Sequence, residues 1–228
     1  RQHHRIYLLF QQTVSSQTEY VYQIGQKDSL YSNVLNESRE IYIQVPESYT
    51  SDSEETYPVI FILDGRVLLP TVVNVQDYYS GGFMPEMVIV GISNAENRTR
   101  DLTPNKGTPS PIVNESMISQ SGGGENFMSF IEKELIPYID SNYPTTSYRT
   151  LIGHSYGGLF TINEFLKNNS VFKNYLAIDP SLEWDNQLII NQAKQKLKTE
   201  DFTGKSLFIS LAAEQLHMQD ESITMDNI

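Results

Sequence analysis

The sequence predicts an α/β fold with a mostly parallel central sheet and helices on both faces. Three observations predict it. Runs such as VIFILDG (59–65) and MVIVGI (87–92) are apolar at nearly every position, as strands buried on both faces are. Amphipathic stretches of helical period separate the later apolar runs, so strand and helix alternate. No internal repeat and no shift of composition divides the chain, which reads as one domain over 19–228 behind an N-terminal segment, 1–18.

In chain order, EYVYQIGQ (19–26) and SREIYIQVP (38–46) alternate apolar and polar residues and read as a hairpin-like pair of half-buried strands. YTSDSEETYP (49–58) is a polar loop. VIFILDG stops at Asp64-Gly65, and MVIVGI is the next buried strand. ENFMSFIEKELIPYID (125–140) is a helix: Phe127, Phe130, Ile131, Leu135 and Ile139 fall near a 3.6 period, with Pro137 near its end. RTLIG (149–153) is a strand, GLFTINEFLKNN (158–169) a helix, NYLAID (174–179) a strand and NQLIINQAKQKLK (186–198) a helix. SLFISLA (206–212) is expected to be a last buried strand. Between the second buried strand and the first helix runs a long Pro/Gly/Ser/Asn-rich connection, 103–124, of the size that functional loops have. Ligands of such sheets bind beyond the carboxyl ends of the strands. The loops after Leu63, Ile92, Ile152, Ile178 and Leu211 should therefore gather at one site.

Composition narrows the chemistry. With 228 residues, 39% of them hydrophobic, the chain can bury one sizeable core. A net charge of −12 argues against nucleic acid and against an anionic membrane surface as partners. The absence of cysteine removes disulfides, thiolate metal sites and cysteine nucleophiles. Four histidines, His3, His4, His154 and His217, offer little for a metal site, and no HExxH pattern occurs. His3 and His4 belong to a basic, solvated start. No run reaches the ~20 apolar residues of a membrane span. RQHHRIYLLFQQTVSSQ resembles a worn signal peptide, although IYLLF falls short of an h-region of about 7–15 residues. Periplasmic or secreted export and a cytoplasmic location both stay open. Asn-x-Ser/Thr sequons begin at Asn36, Asn97, Asn114 and Asn168; they matter only in a secreted eukaryotic protein.

The stretch LIGHSYGGLF (151–160) carries the chemistry. Gly153-His154-Ser155-Tyr156-Gly157 fits G-x-S-x-G, a sharp strand-to-helix turn that presents a serine hydroxyl at the sheet edge. Residues two before and two after the serine must be small, since side chains there would meet the adjoining strand or helix. The helix behind the serine aims unpaired N–H groups and a partial positive charge at the same point, which suits an oxyanion. The Tyr156 N–H is one expected donor. The other comes from the loop after the third strand, here LDGR, hence the Arg66 N–H. His154, next to the serine, is expected to be packed and hydrogen bonded rather than to act as the base. A tight turn with a serine N-cap is the bland alternative for Ser155, and an ordinary turn that for Asp64-Gly65.

YPVIFILDG, VIVGISN with RTRDLTP, SGGGENFMSFIEKELIPYID, LIGHSYGGLF and YLAIDPSLEWD together resemble the esterase D-type α/β hydrolases, and among them esterases related to the enterobactin-trilactone hydrolases of siderophore release. The resemblance covers roughly residues 20–212. It implies an α/β hydrolase fold, hydrolysis of carboxylic esters by Ser155, oxyanion donors at Tyr156 and Arg66, and no metal or organic cofactor. It implies that RTRDLTP lines the approach to the site, so that Arg100 either grips an acidic or catecholate substrate or braces the loop through Asp101. Asp185 faces the site or caps the helix that follows. Tyr78, Tyr79, Phe83 and Trp184 line the pocket or fill the core.

The resemblance also implies a histidine base in a loop well beyond SLFISLA. Residues 213–228 contain one histidine, His217, and leave no room for a last strand, catalytic loop and closing helix, so the fold is expected to lack the last strand and helix. Three readings follow: a fragment or shortened relative without its base, a relocated base at His217 with Glu214 as its acid, or a base from another subunit. The expected partner is a small-molecule ester, with self-association left open. The rivals are a non-catalytic binder of an ester or acyl ligand, and a carbohydrate esterase acting on acetyl or feruloyl groups.

Overall fold

A computed structural model of the chain describes residues 24–50, 54–111 and 113–212. The apolar runs form the inner strands. β3 (Tyr57–Ile62) and β4 (Val88–Ile92) pair in parallel, with Val59 opposite Val88 and Ile62 opposite Gly91. On the other side of β3 lie β5 (Thr145–His154), β6 (Asn174–Ile178) and β7 (Ser206–Ser210), all parallel. β1 (Gln26–Ser32) and β2 (Glu37–Gln44) form an antiparallel hairpin whose second strand joins β4, giving the order β1-β2-β4-β3-β5-β6-β7. A mostly parallel sheet in this order, layered with helices, is an α/β hydrolase fold.

Helices cover both faces. α1 (Gly65–Tyr79) lays Leu69 and Val73 on Ile60, Ile62, Ile89 and Ile152. It enters so close to β4 that a Cβ on Gly65 would stand 2.4 Å from the Gly91 backbone, which holds the start of α1 in place. α2 (Arg98–Leu102) and α3 (Glu115–Gln120) punctuate the long connection. On the opposite face, α4 (Gly124–Phe130) runs through a π-helical turn (Ile131–Leu135) into α5 (Ile136–Asn142), beside α6 (Tyr156–Leu166) and α7 (Trp184–Thr199). The π turn fits Pro137, which lacks an N–H and crowds the carbonyl one turn before it.

The structure departs from the sequence reading in several places. The first described strand is Gln26–Ser32; of the strand expected over 19–26, residues 19–23 lie outside the described residues and 24–25 precede it. The hairpin turns through Asn36, whose φ is 56°, and pairs Ser32 with Glu37. α1 was not foreseen, because its valines favour strands and Pro70 sits inside it. β7 is not buried: Phe208 is 61% exposed at the edge of the described sheet. Tyr78, Tyr79 and Phe83 are exposed, whereas Trp184 is wholly buried against the Tyr156 ring. Segment 1–18 and residues 213–228 lie outside the described residues. Among the described residues no helix is long and apolar enough to cross a membrane.

One buried ion pair anchors the connection that carries α2. Arg39 of β2 meets Asp101 at 2.7 Å, with the two side chains 5% and 0% exposed, and its guanidinium lies 5.3 Å from the Phe127 ring centre. Removing Asp101 would leave Arg39 buried with Glu37, at 2.8 Å, as its remaining carboxylate. Asp101→Ala is expected to lower unfolding stability by about 1.5–3 kcal/mol in denaturant titration, the range of a hydrogen bond to a charged group; a loss of ~1 kcal/mol or less, as for a surface pair, would reject this anchoring role.

Candidate active site

Four of the turns gather at the carboxyl edge of the sheet. At the end of β5 the backbone reverses through Ser155, whose φ of 56° and ψ of −116° are rare for a residue with a side chain. Such a corner costs about 1–3 kcal/mol and needs support. The Ser155 N–H donates to the Ile178 carbonyl at 3.0 Å, and the Ser155 carbonyl accepts from Leu159 at 2.9 Å and Ser181 at 3.2 Å. A Cβ on Gly153 would stand 2.2 Å from the Gly157 carbonyl oxygen, so only glycine fits. Beyond the serine, the tight residue is Gly158, whose Cβ would come 2.9 Å from Pro180 Cα. A Cβ on Gly157 would meet nothing nearer than 3.5 Å, which corrects the expectation that Gly157 must be small.

Tyr156 opens α6, so its N–H is one of the first-turn donors that have no partner within the helix. The neighbouring turn is similar. Asp64, at φ 53° and ψ 37°, precedes α1, and its carbonyl accepts from Val67 and Leu68, which puts Arg66 in the first turn. The Asp64 N–H donates to Asn94 Oδ1 at 3.1 Å, and Asn94 in turn donates to Asp101. β3 and β5 are adjacent, so the Asp64–Arg66 turn and the Ser155–Tyr156 turn stand side by side.

A cavity of about 290 Å³ opens beside them, lined among others by Asp64, Arg66, Asn94, Arg98 and His154. A second, of about 310 Å³, shares Arg66, Ser93, Asn94 and Ala95 with it and carries Glu37, Glu40 and Glu96. Arg66 therefore stands at the junction of the two. Ser155 Oγ lies 3.2 Å from Ser181 Oγ. His154 is exposed among the described residues, at the rim of the first cavity, contrary to the expectation of a packed histidine; it ends β5, where no described element covers it. Burial, with the nearby Glu183 charge, raises the pKa of the Tyr156 hydroxyl, against a smaller opposing effect of Arg98.

The other sequence-derived candidates fall as follows. Arg100 donates to both oxygens of Glu37, at 2.6 and 3.0 Å, and to Asp101 at 2.9 Å, so its guanidinium is engaged in bracing the loop. Asp185 does not cap α7. It opens a run of left-handed residues, Asp185–Gln187, that breaks α7 near its start, and its side chain accepts from Asn105 of the long connection. His217 and Glu214 lie outside the described residues. Sequence reasoning missed Arg98, Asn94 and Ser181. The block RTRDLTP offered two arginines, and nothing in its pattern tells which one faces the serine. Among the described residues, no group of three or more His, Asp or Glu side chains is placed to hold a metal ion.

Comparison with known proteins fits this geometry. Residues 32–214 match the family model described as "Putative esterase", and the chain belongs to that family. A ferri-bacillibactin esterase of Bacillus subtilis is 30% identical over 84% of this chain and 71% of its own length. A siderophore triacetylfusarinine C esterase of Aspergillus fumigatus is 28% identical over 70% of this chain and 57% of its own. The crystal structure of an IroE-like serine hydrolase from Shewanella oneidensis superposes with a TM-score of 0.74 at 36% identity, covering 81% of this chain and 60% of that one. This chain thus spans less than two thirds of the length of the latter two.

The elbow contacts predict a contrast. Gly153→Ala should slow labelling of Ser155 by a fluorophosphonate about 100-fold, since the corner must move, while Gly157→Ala should label at nearly the parent rate. Equal rates for the two variants would show that the 2.2 Å approach does not hold the corner. A second outcome concerns pH. Hydrogen bonds from Arg100, opposed by burial and helped by Arg39, lower the Glu37 pKa from 4.5 to about 2. Its contribution to stability is present above 4.5 and is lost as pH falls toward about 2. Glu37→Gln should therefore flatten the acid limb of the stability curve in that window; an unchanged limb would remove Glu37 from it.

Proposed function

We propose that this chain hydrolyses carboxylic esters of small molecules through an acyl-enzyme on Ser155, with siderophore esters as the favoured class. The observation that carries the reading is the Ser155 corner itself. A strained, glycine-walled turn lifts the hydroxyl to the head of α6, beside a second helix start at Gly65. Ser155 attacks the ester carbonyl. The N–H groups of Tyr156 and Arg66 hold the developing oxyanion, where preorganised donors lower the barrier most. A base takes the serine proton and returns it to the leaving alcohol, after which water clears the acyl group. His217, with Glu214 as its acid, is the base this reading assigns. The siderophore class is supported by the names of the similar proteins. It is supported as well by Arg66 in the first cavity, whose one carboxylate, Asp64, is already paired with Arg98; a cation there suits an anionic, catecholate-like group.

Steady-state hydrolysis of p-nitrophenyl acetate and of a catecholate trilactone by the parent, Ser155→Ala and His217→Ala tests this. Parent turnover is expected to fall by several orders of magnitude in both variants, leaving only what binding and oxyanion donors supply. A parent no faster than Ser155→Ala would reject the esterase reading and favour a binder of ester ligands. Loss with Ser155→Ala but not with His217→Ala would keep the nucleophile and reject His217 as base.

A further inference from the structure

The last backbone rung between β3 and β5, from the Leu63 N–H to the Ile152 carbonyl at 2.9 Å, lies before both corners. Beyond it the two chains part. The Asp64 N–H turns to the Asn94 side chain, and the Ser155 N–H turns to Ile178 on β6. Yet the N–H groups of Arg66 and Tyr156 can hold one oxyanion only if these two turns keep a fixed register. Among the described residues, one side chain hydrogen bonds to both turns. Arg98 Nε and Nη2 donate to the two carboxylate oxygens of Asp64, both at 2.9 Å. The same Nη2 donates to the His154 carbonyl at 3.2 Å, and the guanidinium carbon lies 5.5 Å from the centre of the Tyr156 ring. One planar group thus touches residues 64, 154 and 156.

We infer that Arg98 is a positioning residue that locks the Asp64–Arg66 turn to the Ser155–Tyr156 turn. Its geometry suits this task better than a contact with substrate, because Asp64 already occupies two of its donors in fork-on-fork fashion. A lysine could not replace it, since a point charge cannot hold both carboxylate oxygens and the carbonyl together. Arg98 is itself fixed from behind. It opens α2, whose Asp101 is buried against Arg39. The catalytic consequence rests on the esterase reading; the register of the two turns does not.

Arg98→Gln, Arg98→Lys and Arg98→Ala are to be compared with the parent in kinetics, thermal unfolding and crystal structures. With p-nitrophenyl acetate, kcat is expected to fall about 10–100-fold in Arg98→Gln with KM changed less than about three-fold, and less steeply in Arg98→Lys. Guanidinium ion, well below denaturing concentration, should restore part of the kcat of Arg98→Ala. Unchanged kcat, a change confined to KM, or no restoration would overturn the assignment. If Arg98→Gln does not fold, Arg98→Lys carries the kinetic comparison. The crystal structures read the lock without catalysis: the Asp64–Arg66 turn should shift relative to Ser155 in whichever variant folds, and superimposable turns would overturn the inference. A parent without activity would sink the esterase reading, and the crystal structures would then decide the role of Arg98 alone.

Discussion

The organisation of this protein depends on one steric constraint, the reversal of the chain at Ser155. Gly153 and the Gly157 carbonyl approach so closely that no side chain fits between them, and Gly158 is pressed in the same way against Pro180. A corner this tight stores strain and persists only where its surroundings over-determine it. Here they do. β5 is clamped between β3 and β6, and α6 behind the corner is buried along its whole length. The rigid core therefore does more than stabilise the fold; it holds a serine in a conformation that an isolated turn would not adopt.

The second corner, at Asp64, obeys similar physics with different supports. α1 rests on the bare backbone of Gly91, and Asp64 is held by the Asn94 side chain and by Arg98. Both supports come from the segment after β4. That segment is in turn fastened to the core by Arg39 and Asp101, and to β2 by Arg100 and Glu37. Charge in this region is arranged in layers. The innermost pair is dry and structural, the next is half-exposed, and Arg66 stands outermost, beside the cavities. An acidic protein thus keeps a cationic side chain at the mouth of both cavities.

Family membership and geometry meet at this edge of the sheet. The two esterases resemble this chain in sequence, and the serine hydrolase superposes on its fold, over part of their lengths. The turns after β3, β4, β5 and β6 converge as strand topology requires.

Sequence by itself determined the α/β class, the inner strands and the serine turn. All three rest on local patterns: continuous apolar runs, helical periodicity and glycines at fixed offsets from Ser155. What pattern could not reach was decided by tertiary contact. The polar strand Gln26–Ser32 exists because β2 offers it an edge, and α1 forms in spite of Pro70 because the sheet face needs covering. The two arginines of RTRDLTP are chemically equal in sequence. They are separated only by which carboxylate each one meets, Asp64 for Arg98 and Glu37 with Asp101 for Arg100. Trp184 is core and Phe83 is surface for the same reason. A side chain's type states what it can do, while its neighbours, brought from distant parts of the chain, settle what it does.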